Sequence, residues 1–252
     1  GDDVEKNLDV PLLGYLPLIQ QHGESEPGLA FREYIDKPDS RFSEALRTIR
    51  TSISLSSLND NATKRYLVTS SQSSEGKTSV ALSLAAAFGQ ISKVIVIDGD
   101  LRRPSIERIL NKTNRKLPGI SDVIVHAVSL DEAIQKRPKE HIDVLYAGSR
   151  TINPLELLSS RNFVDLLNQL AERYDTIILD SPPCIAVSDA YLISSYVDSV
   201  IYVTKSNDTP VPIIRNCINR FKSIDASFAG VLLNQIDFDA THNRSRYQDY
   251  YD

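Results

Sequence analysis

The feature that most constrains this chain is a recurring pattern: a short, unbroken apolar run, then a polar turn, then a helix-forming stretch. Val94-Ile95-Val96-Ile97 is the clearest run. Four β-branched residues with nothing polar between them suit a strand covered on both faces, as the central strands of a parallel sheet are. Tyr66 to Ser70, Thr176 to Leu179, Ser199 to Thr204 and Ala229 to Leu233 repeat the pattern, with a weaker run at Ile142 to Tyr146. A short strand bounded by prolines is expected within Val10 to Pro17. Helical stretches lie between the runs. Leu46, Ile49 and Ile53 are spaced three and four apart within Ser43 to Leu58. Thr78 to Phe88 is dominated by Ala and Leu, strong helix formers. Asn162 to Arg173, Ser188 to Tyr196 and Val211 to Lys222 complete the set. Strands alternate with helices, and no Asn-Gly hairpin signal joins two strands. The expected fold is α/β, with a mostly parallel central sheet and helices on both faces.

Composition narrows the classes. At 252 residues, 41% hydrophobic and 24% charged, the chain can bury one sizeable core without disulfides. Cys184 and Cys217 are its only cysteines and form no C-x-x-C pair, in keeping with a reducing compartment. A net charge of −5 speaks against a general nucleic-acid binder. No apolar run approaches the ~20 residues of a membrane span, and no signal peptide precedes the first polar segment. The chain starts at Gly1 and contains no Met. It is therefore expected to be an excised fragment, and the parent protein can hold membrane segments. Residues 1–40 are expected to form a leading juxtamembrane or linker segment packed on the core, 41–240 the main domain, and 241–252 a polar tail.

In a parallel sheet, ligands bind at the carboxyl ends of the strands. Three polar motifs fall there. Ser71-Gln72-Ser73-Ser74-Glu75-Gly76-Lys77-Thr78-Ser79 follows the first central strand and opens a helix. A phosphate loop needs inward backbone N–H groups, a helix N-terminus, a lysine and a hydroxyl for Mg²⁺. Gly76, Lys77 and Thr78 supply the last of these, but Ser71 replaces the first glycine of the strict pattern, so this is a deviant Walker motif. A serine-capped helix start is the plainer alternative. Asp98-Gly99-Asp100-Leu101-Arg102-Arg103-Pro104 follows the second run. Two carboxylates at the end of a buried strand need a partner, either Mg²⁺ or a proton, or else surface pairing with Arg102 and Arg103. Asp180-Ser181-Pro182-Pro183 follows the third, and is either a Mg²⁺ partner opposite the phosphate loop or a simple strand stop. Together the three place Lys77, Thr78, Asp98, Asp100 and Asp180 on one rim of a P-loop-like sheet.

Val94 to Arg102 resembles the Walker A′ motif of the bacterial tyrosine kinases, the cytoplasmic parts of polysaccharide co-polymerases. Glu44-Ala45-Leu46-Arg47-Thr48-Ile49-Arg50 is similar to their E-x-x-R-x-x-R segment. Ala147-Gly148 through Asn153-Pro154-Leu155-Glu156-Leu157-Leu158-Ser159-Ser160 resembles their A-G…N-P-x-E-L-L-x-S segment, and Ile178 to Pro183 their Walker B. Tyr247-Gln248-Asp249-Tyr250-Tyr251 resembles their tyrosine cluster. Ser73 and Ser74 stand where the family usually carries Pro-Gly, and Gln72 stands where partitioning ATPases carry a signature lysine.

The resemblance implies an ATP-dependent autokinase acting on its own tail in trans and serving exopolysaccharide or capsule export at the cytoplasmic face of the inner membrane. It implies ATP or ADP with Mg²⁺ as cofactors. Ser73, Ser74, Glu75, Gly76, Lys77, Thr78, Ser79 and Asn234 are implied at the nucleotide, the last at the adenine. Thr78, Asp98 and Asp180 are implied at the metal, and Asp98 or Asp100 at the acceptor proton. Tyr247, Tyr250 and Tyr251 are the implied acceptors, although tyrosines in a closing helix packed on the sheet are the alternative. Glu44, Arg47 and Arg50 share a helix face and are implied at a ring-like self-contact; an exposed ion-paired face is the plainer alternative. A cognate phosphatase and the membrane part of the parent are the further implied partners. The basic cluster Arg102, Arg103, Arg108, Lys112, Arg115 and Lys116 is either solvated surface or a contact for acidic segments. A partitioning-type ATPase switch without protein phosphorylation is the rival function.

Overall fold

The computed structural model describes residues 8–19, 28–55, 64–111 and 117–238. Among them, eight strands form one sheet: β1 (Leu12–Pro17), β2 (Lys64–Ser70), β3 (Val94–Asp98), β4 (Gln135–Arg137), β5 (Ile142–Leu145), β6 (Thr176–Asp180), β7 (Ser199–Lys205) and β8 (Phe228–Ile236). Their order is β1-β8-β7-β2-β6-β3-β5-β4. Every neighbouring pair is parallel except β4 with β5. The expected mostly parallel α/β architecture is what forms.

The unbroken apolar runs follow from two covered faces. Along β3, Val94 and Val96 point to one side, and Ile95 and Ile97 to the other. On the first side they meet α1 (Leu29–Asp36), α2 (Arg41–Leu55) and α3 (Lys77–Gly89), through Phe31, Tyr34, Leu46, Ile49, Ile53 and the buried length of α3. Four short helices follow in the chain: α4 (Ile106–Leu110), α5 (Ile120–Ile124), α6 (Leu130–Ala133) and α7 (Pro154–Leu158). The second side is covered by α8 (Arg161–Ala171), α9 (Asp189–Ser194) and α10 (Val211–Lys222), which contribute Phe163, Leu166, Leu170, Ile193, Ile218 and Phe221.

Sequence pattern alone misses α1, the four short helices and β4. Gln135-Lys136-Arg137 has no strand composition; it is an edge strand made by pairing with β5. Each short helix spans no more than one or two turns, too few to show a period. The leading strand forms as Leu12–Pro17 and pairs parallel with β8 at the sheet edge. Among the described residues, no helix is long and apolar enough to cross a membrane.

Candidate active site

Parallel strands bring the ends of β2, β3 and β6 to one rim, with Asp98 and Asp180 paired in register. The loop after β2 supplies one wall of a cavity of about 530 Å³ there, through Ser73, Ser74, Gly76, Lys77, Thr78 and Ser79. Two of its residues have left-handed backbone, Ser74 (φ 69°) and Gly76 (φ 91°). Gly76 is required twice: its φ disfavours side chains, and a Cβ there would lie 2.2 Å from Asn234 Nδ2. Ser71 turns its hydroxyl away, to within 2.6 Å of the Tyr202 hydroxyl in the core.

Thr78 is the hub of the polar site. Its hydroxyl donates to Asp180 Oδ2 at 2.6 Å and accepts from Ser105 Oγ at 3.1 Å. Lys77 Nζ lies 3.3 Å from the same hydroxyl, and 3.9 Å from both Asp100 Oδ2 and Asp180 Oδ1. Asp98 and Asp180 are fully buried. Asp98 Oδ2 accepts the backbone N–H groups of Ser105 and Ile106 at 3.1 and 3.0 Å, fixing the start of α4. Asp98 Oδ1 and Asp180 Oδ1 have no hydrogen-bond partner. Burial, and then the neighbouring Asp180, push the Asp98 carboxyl up to about 8. Burial also raises Asp180, against the pull of the Lys77 ammonium and the Thr78 hydroxyl. Such buried, half-satisfied acids are costly unless a cation or proton joins them.

Asp100 faces the cavity, and its Oδ1 accepts the Arg103 N–H at 2.9 Å. The alternative that Asp98 and Asp100 pair with Arg102 and Arg103 as surface charge does not hold. The Arg102 guanidinium instead grips fully buried Asp189 through two bonds of 2.7 and 3.0 Å. Arg102, Arg103 and Arg108 line the wall facing the phosphate loop, beside Pro182 and Pro183. Lys112, Arg115 and Lys116 lie outside the described residues.

Of the residues implied at the nucleotide or metal by resemblance, Glu75, Asn234, Asp98 and Asp180 are absent from the cavity lining, the first two lying behind the loop and the two aspartates at the strand ends beneath it. The Glu75 carboxylate turns toward the end of β7, and its carbonyl accepts the Asn234 amide at 2.9 Å. Sequence pattern gave no sign of Ser105 or Asp189. Ser105 is brought in by the turn after Asp98, and Asp189 looks like any acid in the first turn of a helix.

Glu44 and Arg47 pair on α2, and Arg50 follows one turn on, its charge reaching Tyr34 together with that of Arg47. The Arg50 guanidinium reaches the carbonyl of Ala87, 3.0 Å away in the last turn of α3. Tyr247, Tyr250 and Tyr251 lie outside the described residues.

Residues 67–234 match the family described as an AAA domain. The putative tyrosine-protein kinase CapB of Staphylococcus aureus is 30% identical over 86% of this chain and 92% of its own length. Tyrosine-protein kinase YwqD of Bacillus subtilis is 37% identical over 69% of this chain and 72% of its own length. Longer relatives, such as the tyrosine-protein kinase wzc of Salmonella typhi, are matched over about a third of their length. The crystal structure of the chimerical protein CapA2B2 superposes with a TM-score of 0.83 at 30% identity, covering 94% of this chain and 99% of that one. The septum site-determining protein MinD of Pyrococcus horikoshii, at 22% identity and TM-score 0.54 over 68% of each chain, shares the fold alone. With this motif-bearing rim and relatives matched nearly end to end, the chain belongs to the bacterial protein-tyrosine kinase family, built on an AAA-type P-loop α/β domain.

Proposed function

We propose that the chain transfers the γ-phosphoryl group of ATP to tyrosine hydroxyls, its own Tyr247, Tyr250 and Tyr251 among them, with a neighbouring copy as the acceptor. The observation that carries this reading is the convergence of the Thr78 hydroxyl, Asp100 and Asp180 around the Lys77 ammonium at a phosphate-loop cavity. Phosphoryl transfer needs positioning and charge neutralisation more than covalent chemistry.

The donor set suits Mg²⁺. Two buried carboxylate oxygens, Asp98 Oδ1 and Asp180 Oδ1, lack partners beside a hydroxyl. Thr78, Asp98 and Asp180 would hold the ion, which when bound neutralises charge on the β- and γ-phosphates. Lys77 serves the same phosphates from the loop. The incoming tyrosine has an ordinary pKa near ~10, so its proton needs an acceptor. Asp100 faces the cavity and takes that role better than the fully buried Asp98. The tyrosine oxygen bonds to the γ-phosphorus, the bond to the β,γ-bridging oxygen breaks, the proton passes to Asp100, and ADP leaves. By kinship, the same reading assigns the chain to capsule or exopolysaccharide export at the inner membrane. A membrane part of the parent protein, a phosphatase and a ring of copies are its partners.

The decisive assay is anti-phosphotyrosine labelling with ATP-Mg²⁺, followed by mass spectrometry of the tail. Wild type is expected to label on the tail, and Lys77→Met to lose at least about a thousandfold in rate while keeping its circular dichroism. Phosphate release without any tyrosine label would instead establish the partitioning-type switch, whose fold is shared.

A further inference from the structure

Glu75 lies in the phosphate loop yet is only 1% exposed. Its Oε2 accepts the Gln72 N–H at 2.6 Å, closing a ring of main chain around Ser73 and Ser74. Its Oε1 accepts the hydroxyls of Thr209 and Thr204 at 2.6 and 3.2 Å and the Lys205 N–H at 3.4 Å. Four donors from two sides thus satisfy one carboxylate, and none of them is a ligand group. Between the two ends of this ring stands Ser74, a residue with a Cβ held at φ 69°. Left-handed backbone is disfavoured for side-chain-bearing residues and persists where the surroundings over-determine it. A glycine at this position would need no such constraint.

We infer that Glu75 is a positioning residue: a strut from β7 to the phosphate loop that holds Ser74 in the left-handed conformation the nucleotide cradle requires, in place of a glycine. The Glu75 carboxylate acts on the loop rather than on the nucleotide. Thr209 and Thr204 anchor the strut, and the Asn234 amide holds the loop at the adjoining Glu75 carbonyl. The inference rests on the cavity being the nucleotide site, and it is judged by affinity rather than by phosphoryl transfer.

The test is titration calorimetry of ADP-Mg²⁺ against wild type, Glu75→Ala, Ser74→Gly and the double variant Ser74→Gly/Glu75→Ala. Glu75→Ala is expected to weaken ADP about tenfold in the wild-type loop, and Ser74→Gly, a change in the cavity wall itself, supplies the reference affinity for the double variant. The double variant should recover at least half of the loss on a logarithmic scale, because glycine adopts the conformation unaided. In the labelling assay KM for ATP should rise with the Kd while kcat stays within about threefold, a split that general loosening of the fold does not produce. Thr209→Val removes one anchor while conserving shape, and is expected to weaken ADP about threefold, again relieved by Ser74→Gly. It carries the test alone if Glu75→Ala does not fold. Wild-type affinity in Thr209→Val, or a double variant as weak as Glu75→Ala, overturns the strut. The affinity series decides the matter even if no tyrosine is labelled, an outcome that removes only the kinase reading.

Discussion

The two sides of the phosphate loop obey opposite rules. In front, at the strand ends, Asp98 and Asp180 each keep a buried oxygen without a hydrogen-bond partner, and Lys77 stands 3.9 Å from the Asp100 and Asp180 carboxylates, beyond hydrogen-bond range. Behind, toward β7 and β8, Glu75, Thr204, Thr209 and Asn234 bond to one another or to the loop at 2.6 to 3.2 Å. Ser71 and Tyr202 do the same. An unfilled buried acid costs stability, and a fully bonded one fixes geometry. On the proposed function, the front is kept for a ligand and the back is the scaffold that aims it. Substitutions on the two sides should differ in sign as well as size.

The largest effect is expected where the two sides touch, at Gly76. A methyl there meets Asn234 Nδ2 and forces a left-handed backbone on a residue with a side chain. Gly76→Ala should cost about 2 kcal/mol of stability and on the order of a hundredfold in nucleotide affinity. Thermal melting and ADP titration measure the two. Ordinary ADP binding in that variant would mean that the front does not depend on the back.

A change at the front should stabilise the metal-free chain. The Asp98 carboxyl goes from the ordinary 3.8 up to about 8 in the folded state, chiefly through burial and then Asp180. Between those two pH values the folded chain binds more protons than the unfolded one. Stability therefore falls as pH rises through that window, and is unaffected by this group below 3.8. Asp98→Asn removes the penalty while an amide oxygen can still accept from Ser105 and Ile106. At pH 8 without metal, its melting temperature should rise by roughly 4 °C, for a gain on the order of 1–2 kcal/mol. The difference between the proteins should shrink toward pH 5. A variant that melts lower at both pH values contradicts the account of the front as a strained, ligand-ready cluster.

A smaller contrast of the same kind runs along α2. Arg50 is tied to the Ala87 carbonyl at the end of α3, where a cation favours the helix dipole, while Arg47 makes its ion pair with exposed Glu44. Arg50→Ala should cost about 1 kcal/mol in a denaturant melt, and Arg47→Ala close to nothing. If α2 forms the self-contact, sedimentation should show weaker assembly for Arg47→Ala at unchanged stability. Equal destabilisation by both substitutions would remove the distinction.

The front of the site was legible in the sequence because strand-end chemistry is local. Lys77, Thr78, Asp98, Asp100 and Asp180 each follow an apolar run within a few residues. The back was not, because its bonds join distant segments. Glu75 to Thr209 spans 134 positions and Ser71 to Tyr202 spans 131. No spacing rule connects them, and nothing in the loop motif shows that the Glu75 carboxylate turns toward β7. The sheet was legible for a related reason: strands covered on both faces are uniformly apolar, as in β3. Edge strand β4, with Gln135, Lys136 and Arg137, draws its structure from β5 instead.

The smallest effect is the most discriminating. Ser74→Gly removes the left-handed strain of a serine, a gain of about 1 kcal/mol, but adds backbone freedom to the unfolded chain that costs about 0.4–1 kcal/mol. The two nearly cancel, so the melting temperature should move by no more than about 2 °C. Were the back of the loop loosely held, Ser74 would already relax out of the left-handed region, and the substitution would lower stability through the unfolded-chain term alone. A near-zero shift in the intact protein, set beside a clear loss of about 0.4–1 kcal/mol in the Glu75→Ala background, is therefore the signature of strain imposed from behind. Equal shifts in the two backgrounds would show that Ser74 keeps its conformation for reasons lying within the loop itself.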